Sequence, residues 1–236
     1  MRPNRIPENL LLRSASRSKR SSGQLKHLAF DTGDQLWSAD MPVPYAVFPV
    51  RGVVSLQVCP GGGKHVDVGL VGPEGYAEVP FLLGAEKTKV RAVAWTAGEA
   101  IVMEPQLFAG YMKDRHFRQA MERYARMFVV MLKRISACNR VHVIDKTLIG
   151  RLLLLQDRTN ADSFNLTQDF LSRSLGVRKA SMSRAAVRLQ DDGAIRYDRQ
   201  GRLTIVDRRK LERHACSCYQ AIKTETDDLI AALGGV

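Results

Sequence analysis

The residues best suited to chemistry lie between positions 178 and 190, where long cations and short hydroxyls recur without a single acidic residue. Arginine can donate two parallel hydrogen bonds to a guanine edge, and lysine or serine can hold a base or a phosphate. The polar side chains of interest are Arg178, Lys179, Ser181, Ser183, Arg184 and Arg188. The pattern favours a surface that binds nucleic acid, although a solvated cationic helix face has the same composition.

Two short helices and a glycine turn are predicted to position these side chains. Thr167 can cap a first helix, with Gln168 beside it at the start. Gly176 fits a tight turn, because a positive φ costs glycine little. A second helix then begins near Arg178, with Met182, Ala185, Ala186 and Leu189 on its buried side. This is a helix-turn-helix, whose second helix lies in the DNA major groove.

A hairpin is predicted directly after the second helix. Residues 194–198 and 203–206 are two short strand-like runs around a Gln-Gly turn. A hairpin in this place forms a wing, and Arg199 and Arg202 at its tip are candidate contacts to a backbone phosphate. We therefore predict a winged helix-turn-helix domain over residues 143–215, followed by a C-terminal tail over residues 216–236.

Residues 106–142 are predicted to form one long helix. Its apolar residues are spaced alternately by four and three positions: Phe117, Met121, Tyr124, Phe128, Met131, Ile135 and Cys138. A stripe this narrow on a charged helix favours pairing with a second copy of the chain. The alternative is a helix that lies on its own domain's sheet, although such helices usually have a wider apolar face.

The region before this helix, residues 25–105, has the short β-branched runs of a β-barrel or sandwich. Two runs around Pro60–Gly63 predict a hairpin, and further strands are expected at Val90–Trp95 and Glu99–Met103. Residues 1–24 are rich in serine and arginine and are expected to be a flexible basic tail, with a short helix near Leu10–Leu12. The sequence thus predicts an α+β chain.

Charge, hydropathy and missing motifs exclude several classes of protein. The chain of 236 residues carries a formal charge of +12, of which +6 lies in residues 1–26 and +6 in residues 146–212. No apolar run is long enough to span a bilayer, so we expect a cytoplasmic protein without a membrane partner. We find no phosphate loop, nucleophile elbow or metal-binding histidine spacing, so we expect no enzyme activity and no cofactor.

The cysteines are too few and too scattered for a disulfide framework. His214, Cys216 and Cys218 are three metal donors at tight spacing, but the sequence offers no second pair beside them, so no metal site is assigned. A C-terminal helix with free thiols is the simpler interpretation. Redox modulation through Cys216 or Cys218 stays open, and thiol titration followed by mass spectrometry would test it.

These motifs together resemble the Crp/Fnr family of bacterial transcription regulators over about residues 25–215. The resemblance rests on VFPVRGVVSLQV, on VGLVGPEGYAEVPFLLG and above all on LTQDFLSRSLGVRKASMSRAAVRLQDDGAIRY. It implies a cyclic-nucleotide-binding-like β-barrel of jelly-roll type, a dimerisation helix and a winged helix-turn-helix. It also implies base readers at Arg178, Lys179, Ser181 and Arg184, and a backbone contact at Thr167.

The same resemblance puts cyclic-nucleotide binding in doubt. Members that bind these ligands use a Gly-Glu pair for the ribose and an Arg-Ser/Thr pair for the phosphate. The first pair falls here on Ala77-Glu78, and the second falls near Thr88-Lys89, where the arginine is missing. Lys89 or Arg91 could supply a point charge without the planar fork of an arginine in that place. Glu78 could equally be a structural carboxylate. The N-terminal cysteine cluster of iron–sulfur members is absent, since the first cysteine is Cys59.

The sequence therefore predicts a homodimeric transcription regulator that binds an inverted-repeat operator and does not depend on cyclic AMP. The alternative is a signalling regulator gated by a cyclic nucleotide or another small molecule. RNA polymerase is an expected partner if the protein is an activator. The effector and the operator sequence do not follow from the sequence.

Overall fold

The computed structural model describes residues 9–15, 25–42 and 45–234. Two antiparallel sheets form the N-terminal β-region, with strand orders β1-β7-β3 and β2-β6-β4-β5. The strands are β1 (Lys26–Phe30), β2 (Gln35–Trp37), β3 (Ala46–Arg51), β4 (Val54–Gly61), β5 (Lys64–Val71), β6 (Arg91–Ala94) and β7 (Gly98–Met103). The jelly-roll expectation is confirmed as two sheets rather than as a closed barrel.

The hairpin predicted around Pro60–Gly63 is present as β4 and β5. Gly62 and Gly63 have φ values of +62° and +70°, which place them in the left-handed region that glycine adopts without strain. The two strands stay paired from Gly61 opposite Lys64 to Val54 opposite Val71, with two register shifts between. This hairpin forms one edge of the larger sheet.

Residues 106–142 form two helices rather than one. Helix α2 (Val79–Leu82) precedes them, and α3 (Pro105–Met112) and α4 (Arg115–Val141) follow. The break falls at Asp114, whose side chain accepts hydrogen bonds from the backbone N–H groups of His116 and Phe117. An aspartate in this place starts a new helix because it satisfies N–H groups that have no partner within the helix.

The apolar stripe of α4 packs inside the chain. All seven of its residues, from Phe117 to Cys138, are between 0 and 8% exposed. Phe128 lies against β5, where a Cβ on Gly69 would be 3.3 Å from its ring. The assignment of this stripe to a dimer interface is therefore corrected: these side chains face their own domain. Heptad spacing is the same whether a helix packs on its own sheet or on a second copy.

Residues 216–236, expected as a tail, instead contain the 18-residue helix α9 (Ser217–Gly234). It runs antiparallel to α4: Cys216 Sγ lies 3.7 Å from Cys138 Sγ, and Thr226 Oγ1 lies 3.9 Å from Met127 Sδ. Four of its buried side chains are apolar: Tyr219, Ile222, Leu229 and Leu233. These residues belong to a second element that packs on α4, which the spacing of the α4 stripe alone does not predict.

Part of the expected N-terminal tail is also packed. Helix α1 (Leu10–Arg13) lies where a short helix was expected and buries Leu11 and Leu12 completely. Asn9 caps it and also donates hydrogen bonds of 2.8 Å to the carbonyls of Pro49 and Gly75. The other residues of the expected tail lie outside the described part of the chain.

The C-terminal region is a three-stranded sheet with helices around it, in the order β8-β10-β9. Its elements are α5 (Ile144–Thr159), β8 (Ser163–Phe164), α6 (Gln168–Ser174), α7 (Lys179–Asp191), β9 (Ile195–Tyr197), β10 (Leu203–Ile205) and α8 (Arg208–His214). The predicted helix-turn-helix and wing are therefore both confirmed as elements of the fold. No helix among the described residues has the length and apolar character needed to cross a membrane.

Candidate nucleic-acid interface

The turn between α6 and α7 is fixed by a cap and a glycine. Thr167 Oγ1 accepts a hydrogen bond of 3.1 Å from the Phe170 backbone N–H, which starts α6 as predicted. Gly176 has a φ of +67°, and a Cβ at this position would lie 2.9 Å from a methyl group of Val66 on β5. Glycine is therefore required twice, for the backbone conformation and for the close approach of the β4–β5 hairpin.

Helix α7 buries the four residues expected for it and presents its cations outward. Met182, Ala185, Ala186 and Leu189 are buried. Arg178, directly before the helix, and Lys179 and Arg184 on it are exposed, while Ser181 and Ser183 are half-buried. These three cations, together with the exposed Arg188, are long enough to reach a groove.

Two of the predicted contact residues on α7 already have partners in the protein. Ser183 donates a hydrogen bond of 2.7 Å to Gln168 Oε1, which ties α7 to the start of α6. Arg188 donates to both carboxylate oxygens of Asp145, at 2.7 and 2.5 Å, and its hydrogen bond lowers the pKa of that carboxyl group. Both contacts orient α7 against its neighbours, so these two side chains are held in positioning roles in this structure.

The remaining contacts on this face are weak. Arg184 Nη2 lies 3.4 Å from Ser181 Oγ, and Lys179 Nζ lies 3.6 Å from an Asp169 oxygen, in a solvent-exposed pair. An exposed pair of this kind is held by little free energy, because water and salt screen the charges. Arg184 and Lys179 can therefore exchange these contacts for contacts to a ligand.

The wing is a tight hairpin. Asp198 Oδ1 accepts hydrogen bonds from the backbone N–H groups of Gln200 and Arg202, and Gly201 takes a φ of +81°. The Arg202 side chain lies 3.3 Å from Asn165 Oδ1 and is exposed, as is Arg199. Both predicted wing cations are therefore at the surface of the same domain as α7.

The helix-turn-helix rests on the β-region. The Phe170 ring meets the Trp95 ring edge-on, with centroids 6.0 Å apart, beside the Gly176–Val66 contact. A cleft of about 730 Å³ opens next to these contacts. Among its lining residues are the cations Lys64, Arg91, Arg173 and Arg178, together with His65. The first cation of the α7 face therefore lines the junction between the two regions.

Of the five residues proposed for a ligand in the β-region, Glu78 and Thr88 meet in the interior, while the two cations pair with other residues. Thr88 Oγ1 donates a hydrogen bond of 2.7 Å to Glu78 in the interior, where Ala77 is also buried and where burial raises the pKa of Glu78. Lys89 is exposed and pairs with Asp40. Arg91 donates two hydrogen bonds to Gln57 Oε1, at 3.1 and 2.7 Å. The two cations therefore have partners other than Glu78 and Thr88.

A buried polar group in the same sheet was missed by sequence reasoning. Asp67 on β5 is fully buried and accepts hydrogen bonds from Ser55 and Gln57. Burial raises its pKa to about 6, against the opposing effects of those hydrogen bonds and of nearby Arg151. The signal in the sequence is an acidic residue between the valines of the strand-like run His65–Val71.

The family comparison matches the C-terminal region. Residues 148–214 fit the family model of the Crp-like helix-turn-helix domain. The matched segment begins inside α5, ends with α8 and includes the whole of the turn and the wing. A search of curated proteins finds no match to the chain.

Solved structures match most of the chain at low identity. A CRP-family transcriptional regulator from Thermus thermophilus has a TM-score of 0.67 and 16% identity, over 80% of this chain and 96% of its own. FixK2 from Bradyrhizobium japonicum has a TM-score of 0.64 and 14% identity, over 81% and 98%. The c-di-GMP-responsive global regulator CLP from Xanthomonas campestris has a TM-score of 0.58 and 14% identity, over 78% and 95%.

The first and third of these neighbours are named as regulators. Residues 148–214 therefore form a Crp-like helix-turn-helix domain, in a chain that has the fold of the Crp/Fnr transcription regulators.

Proposed function

We propose that this protein is a transcription regulator that binds double-stranded DNA through α7 in the major groove. The observation that carries the proposal is the exposed face of Arg178, Lys179 and Arg184 on the second helix of a Crp-like helix-turn-helix domain. Arg178 and Arg184 have the bidentate geometry that reads guanine, and Lys179 can hold a base or a phosphate. Ser181, half-buried beside Arg184, completes the reading set.

The flanking residues take positioning roles in this proposal. Thr167 and Gln168 at the start of α6, and Arg199 and Arg202 on the wing, would hold backbone phosphates on either side of the groove. Ser183 and Arg188 act through Gln168 and Asp145 to fix the angle of α7. Phosphate contacts release counterions, so the affinity is expected to fall steeply as salt rises.

We further propose that two copies act together on an inverted repeat. The apolar stripe of α4 from Phe117 to Cys138 is buried. A second stripe, shifted by one residue along the helix, is partly or fully exposed to solvent. Its members are Arg118, Glu122, Ala125, Val129, Leu132, Ser136 and Asn139. Its apolar centre is Ala125, Val129 and Leu132, of which Val129 is 43% exposed. Two-fold pairing through this stripe predicts half-sites about one helical turn apart.

Operator selection followed by point variants tests the DNA proposal. Sequences bound by the purified protein would be selected from a random pool and then used in shift assays at several salt concentrations. Arg184→Ala is expected to lose more than ~1 kcal/mol of specific binding and to relax the sequence preference at one position. Arg202→Ala is expected to weaken all sequences alike and to lower the salt slope by about 1.

Arg51→Ala is the matched control, because it removes one exposed positive charge from the β-region. It is expected to bind as the unaltered protein does. Selection of no common sequence, or equal operator binding by Arg184→Ala and Arg51→Ala, would contradict the base-reading assignment.

Sedimentation tests the proposed pairing. Val129→Glu places a charge at the centre of the second stripe and is expected to shift a dimer towards monomer. Val206→Glu is the control, because Val206 is 58% exposed but lies in the C-terminal domain, away from α4. Equal sedimentation of the two variants would place the interface elsewhere.

Gating by a small molecule is the second candidate function, and the cationic cleft beside Gly176 favours an anionic ligand. A cyclic nucleotide bound at Glu78 and Thr88 is less well supported, because Lys89 and Arg91 are paired with other residues. Calorimetry with cyclic mononucleotides, and operator binding with and without them, separates the two functions. Ligand-independent operator binding supports regulation by the protein's own abundance.

A further inference from the structure

Four metal-binding side chains meet where α4 ends and α9 begins. Cys138 and His142 come from the last turn of α4 and its cap, and Cys216 and Cys218 come from the start of α9. The sulfur and ring nitrogen atoms all lie within 4.8 Å of one another. Cys138 Sγ is 3.7 Å from Cys216 Sγ, and Cys218 Sγ is 3.9 Å from His142 Nδ1.

These separations are close to the edges of a tetrahedron around one metal ion. Zinc bonds of about 2.3 Å to sulfur and about 2.0 Å to nitrogen place two sulfur ligands about 3.8 Å apart, and a sulfur and a nitrogen about 3.5 Å apart. A disulfide would instead need about 2.05 Å between the sulfur atoms. Two of the donor separations are therefore already within a few tenths of an ångström of a tetrahedral edge, and the 4.8 Å limit on the others requires shifts of about 1 Å at most.

A buried cation beside the cluster supports the same assignment. Arg151 on α5 is 3% exposed and lines the small cavity between the three cysteines and Tyr219. Its Nε and Nη2 atoms have no hydrogen-bond partner among the described residues. Buried Asp67 acts on Arg151 as an opposite charge, but buried guanidinium N–H groups without acceptors are still costly. Three thiolates, one neutral imidazole and a divalent ion carry a net charge of −1, which would further offset the charge of Arg151.

We propose that Cys138, His142, Cys216 and Cys218 bind one Zn²⁺ ion and so fasten α9 to the end of α4. Four protein ligands leave no open position for a substrate, which is the arrangement of a structural site. On binding, each of the three thiols gives its proton to solvent and becomes a thiolate ligand. The inference does not rest on the proposed DNA-binding function.

The structure also explains why the sequence did not reveal this site. Cys138 and His142 are four residues apart, so they lie on one face of a helix, but 73 residues separate His142 from Cys216 in the chain. His214 is close to Cys216 and Cys218 in the sequence, but it is not a member of the cluster. Only the antiparallel packing of α9 on α4 brings the two pairs together.

Metal analysis of the full chain tests the proposal. The purified protein is expected to hold one zinc per chain by elemental mass spectrometry. After removal of zinc, Co²⁺ is expected to bind one per chain, with the visible absorption of tetrahedral coordination and near-ultraviolet charge-transfer bands from thiolate. Zn²⁺ added in equal amount should displace it. Failure of the unaltered protein to bind either ion at one per chain would overturn the proposal.

Variants identify the ligands. Cys216→Ser and His142→Ala are expected to weaken Co²⁺ binding at least tenfold, and Cys216→Ser should also reduce the thiolate bands. Cys59→Ser and His214→Ala are the matched controls, since neither residue belongs to the cluster, and both variants should bind Co²⁺ as the unaltered protein does. Loss of binding in His214→Ala but not in His142→Ala would overturn the ligand assignment.

Thiol labelling gives a readout that does not depend on the stability of a variant. In the native zinc-loaded protein, alkylation is expected at Cys59 alone, and a chelator should increase the alkylation rate of the other three cysteines. A Cys138–Cys216 disulfide in the freshly purified protein, found by peptide mass spectrometry, would overturn the proposal in favour of a redox pair.

Discussion

Arg158 Nε on α5 donates a hydrogen bond of 2.8 Å to Glu74 Oε1 in the turn after β5, and the two side chains are only 2% and 7% exposed. Glu74 also accepts a hydrogen bond from the Gly72 backbone N–H, and Arg158 also donates to the Leu154 carbonyl. This buried pair joins the β-region to the first helix of the C-terminal domain. Since α5 begins the matched helix-turn-helix domain, the pair sets how that domain meets the sheets.

Removing one member of this pair should destabilise the protein strongly. Glu74→Gln or Arg158→Met leaves one buried charge without its partner, and we expect each to lower the free energy of unfolding by about 3–5 kcal/mol. The double variant should recover part of the loss, because it buries no unpaired charge. Urea unfolding measures all three. Glu104→Gln, which breaks the exposed Lys26–Glu104 pair, is the control and should change little.

Gly176→Ala is expected to destabilise the junction between the helix-turn-helix and the β4–β5 hairpin. The left-handed backbone costs a residue with a Cβ about 1–2 kcal/mol, and the added carbon would contact Val66. Val66→Ala in the same chain should relieve the contact but not the backbone cost. Gly62→Ala serves as the control, since its φ is +62° and nothing lies within 4 Å of its Cβ. Equal losses of unfolding free energy in Gly176→Ala and Gly62→Ala would show that the contact with Val66 does not contribute.

Asp67 predicts a fall in stability with rising pH. Its folded pKa of about 6 lies above the ordinary value of 3.8, so the folded state binds the proton more tightly. The favourable contribution is full below about pH 4 and is lost as pH rises through about 6. Asp67→Asn mimics the protonated form, so it should match the unaltered protein near pH 4 and exceed it by up to about 3 kcal/mol at pH 7. A constant difference across this range by urea unfolding would refute the shift.

Variants of Arg188 and Arg184 are expected to affect different properties, stability in the first case and sequence recognition in the second. Arg188 is paired with Asp145 across α7 and α5, so Arg188→Ala is expected to lower the melting temperature modestly while the preferred operator sequence stays the same. Arg184→Ala is expected to change the preferred operator sequence while the melting temperature stays the same. Thermal unfolding and operator selection on both variants give the comparison. A changed operator preference in Arg188→Ala would return that residue to the base-reading set.

Most of the helix-turn-helix can be predicted from the sequence because the signals for it are local. Thr167, Gly176 and the buried residues of α7 each act within a few positions of their partners, so spacing alone predicts them. The α4 stripe shows where this fails: heptad spacing identifies a buried face but not what covers it. The cover depends on β5 and α9, which are distant in the chain. The hydrogen bond from Arg188 to Asp145 could not be predicted for the same reason, since Asp145 lies 43 residues away.

The return of α9 along α4 changes how the C-terminal domain can move. The chain enters that domain from the end of α4, between Val141 and Ile144, and leaves it at Cys216, 3.7 Å from Cys138 on the same helix end. A domain tethered at one point can turn about any axis. A domain held at two neighbouring points is restricted to rotation about a pivot through them. A reorientation of α7 relative to the sheets would therefore pivot about this end of α4, and it would have to break the buried Arg158–Glu74 pair.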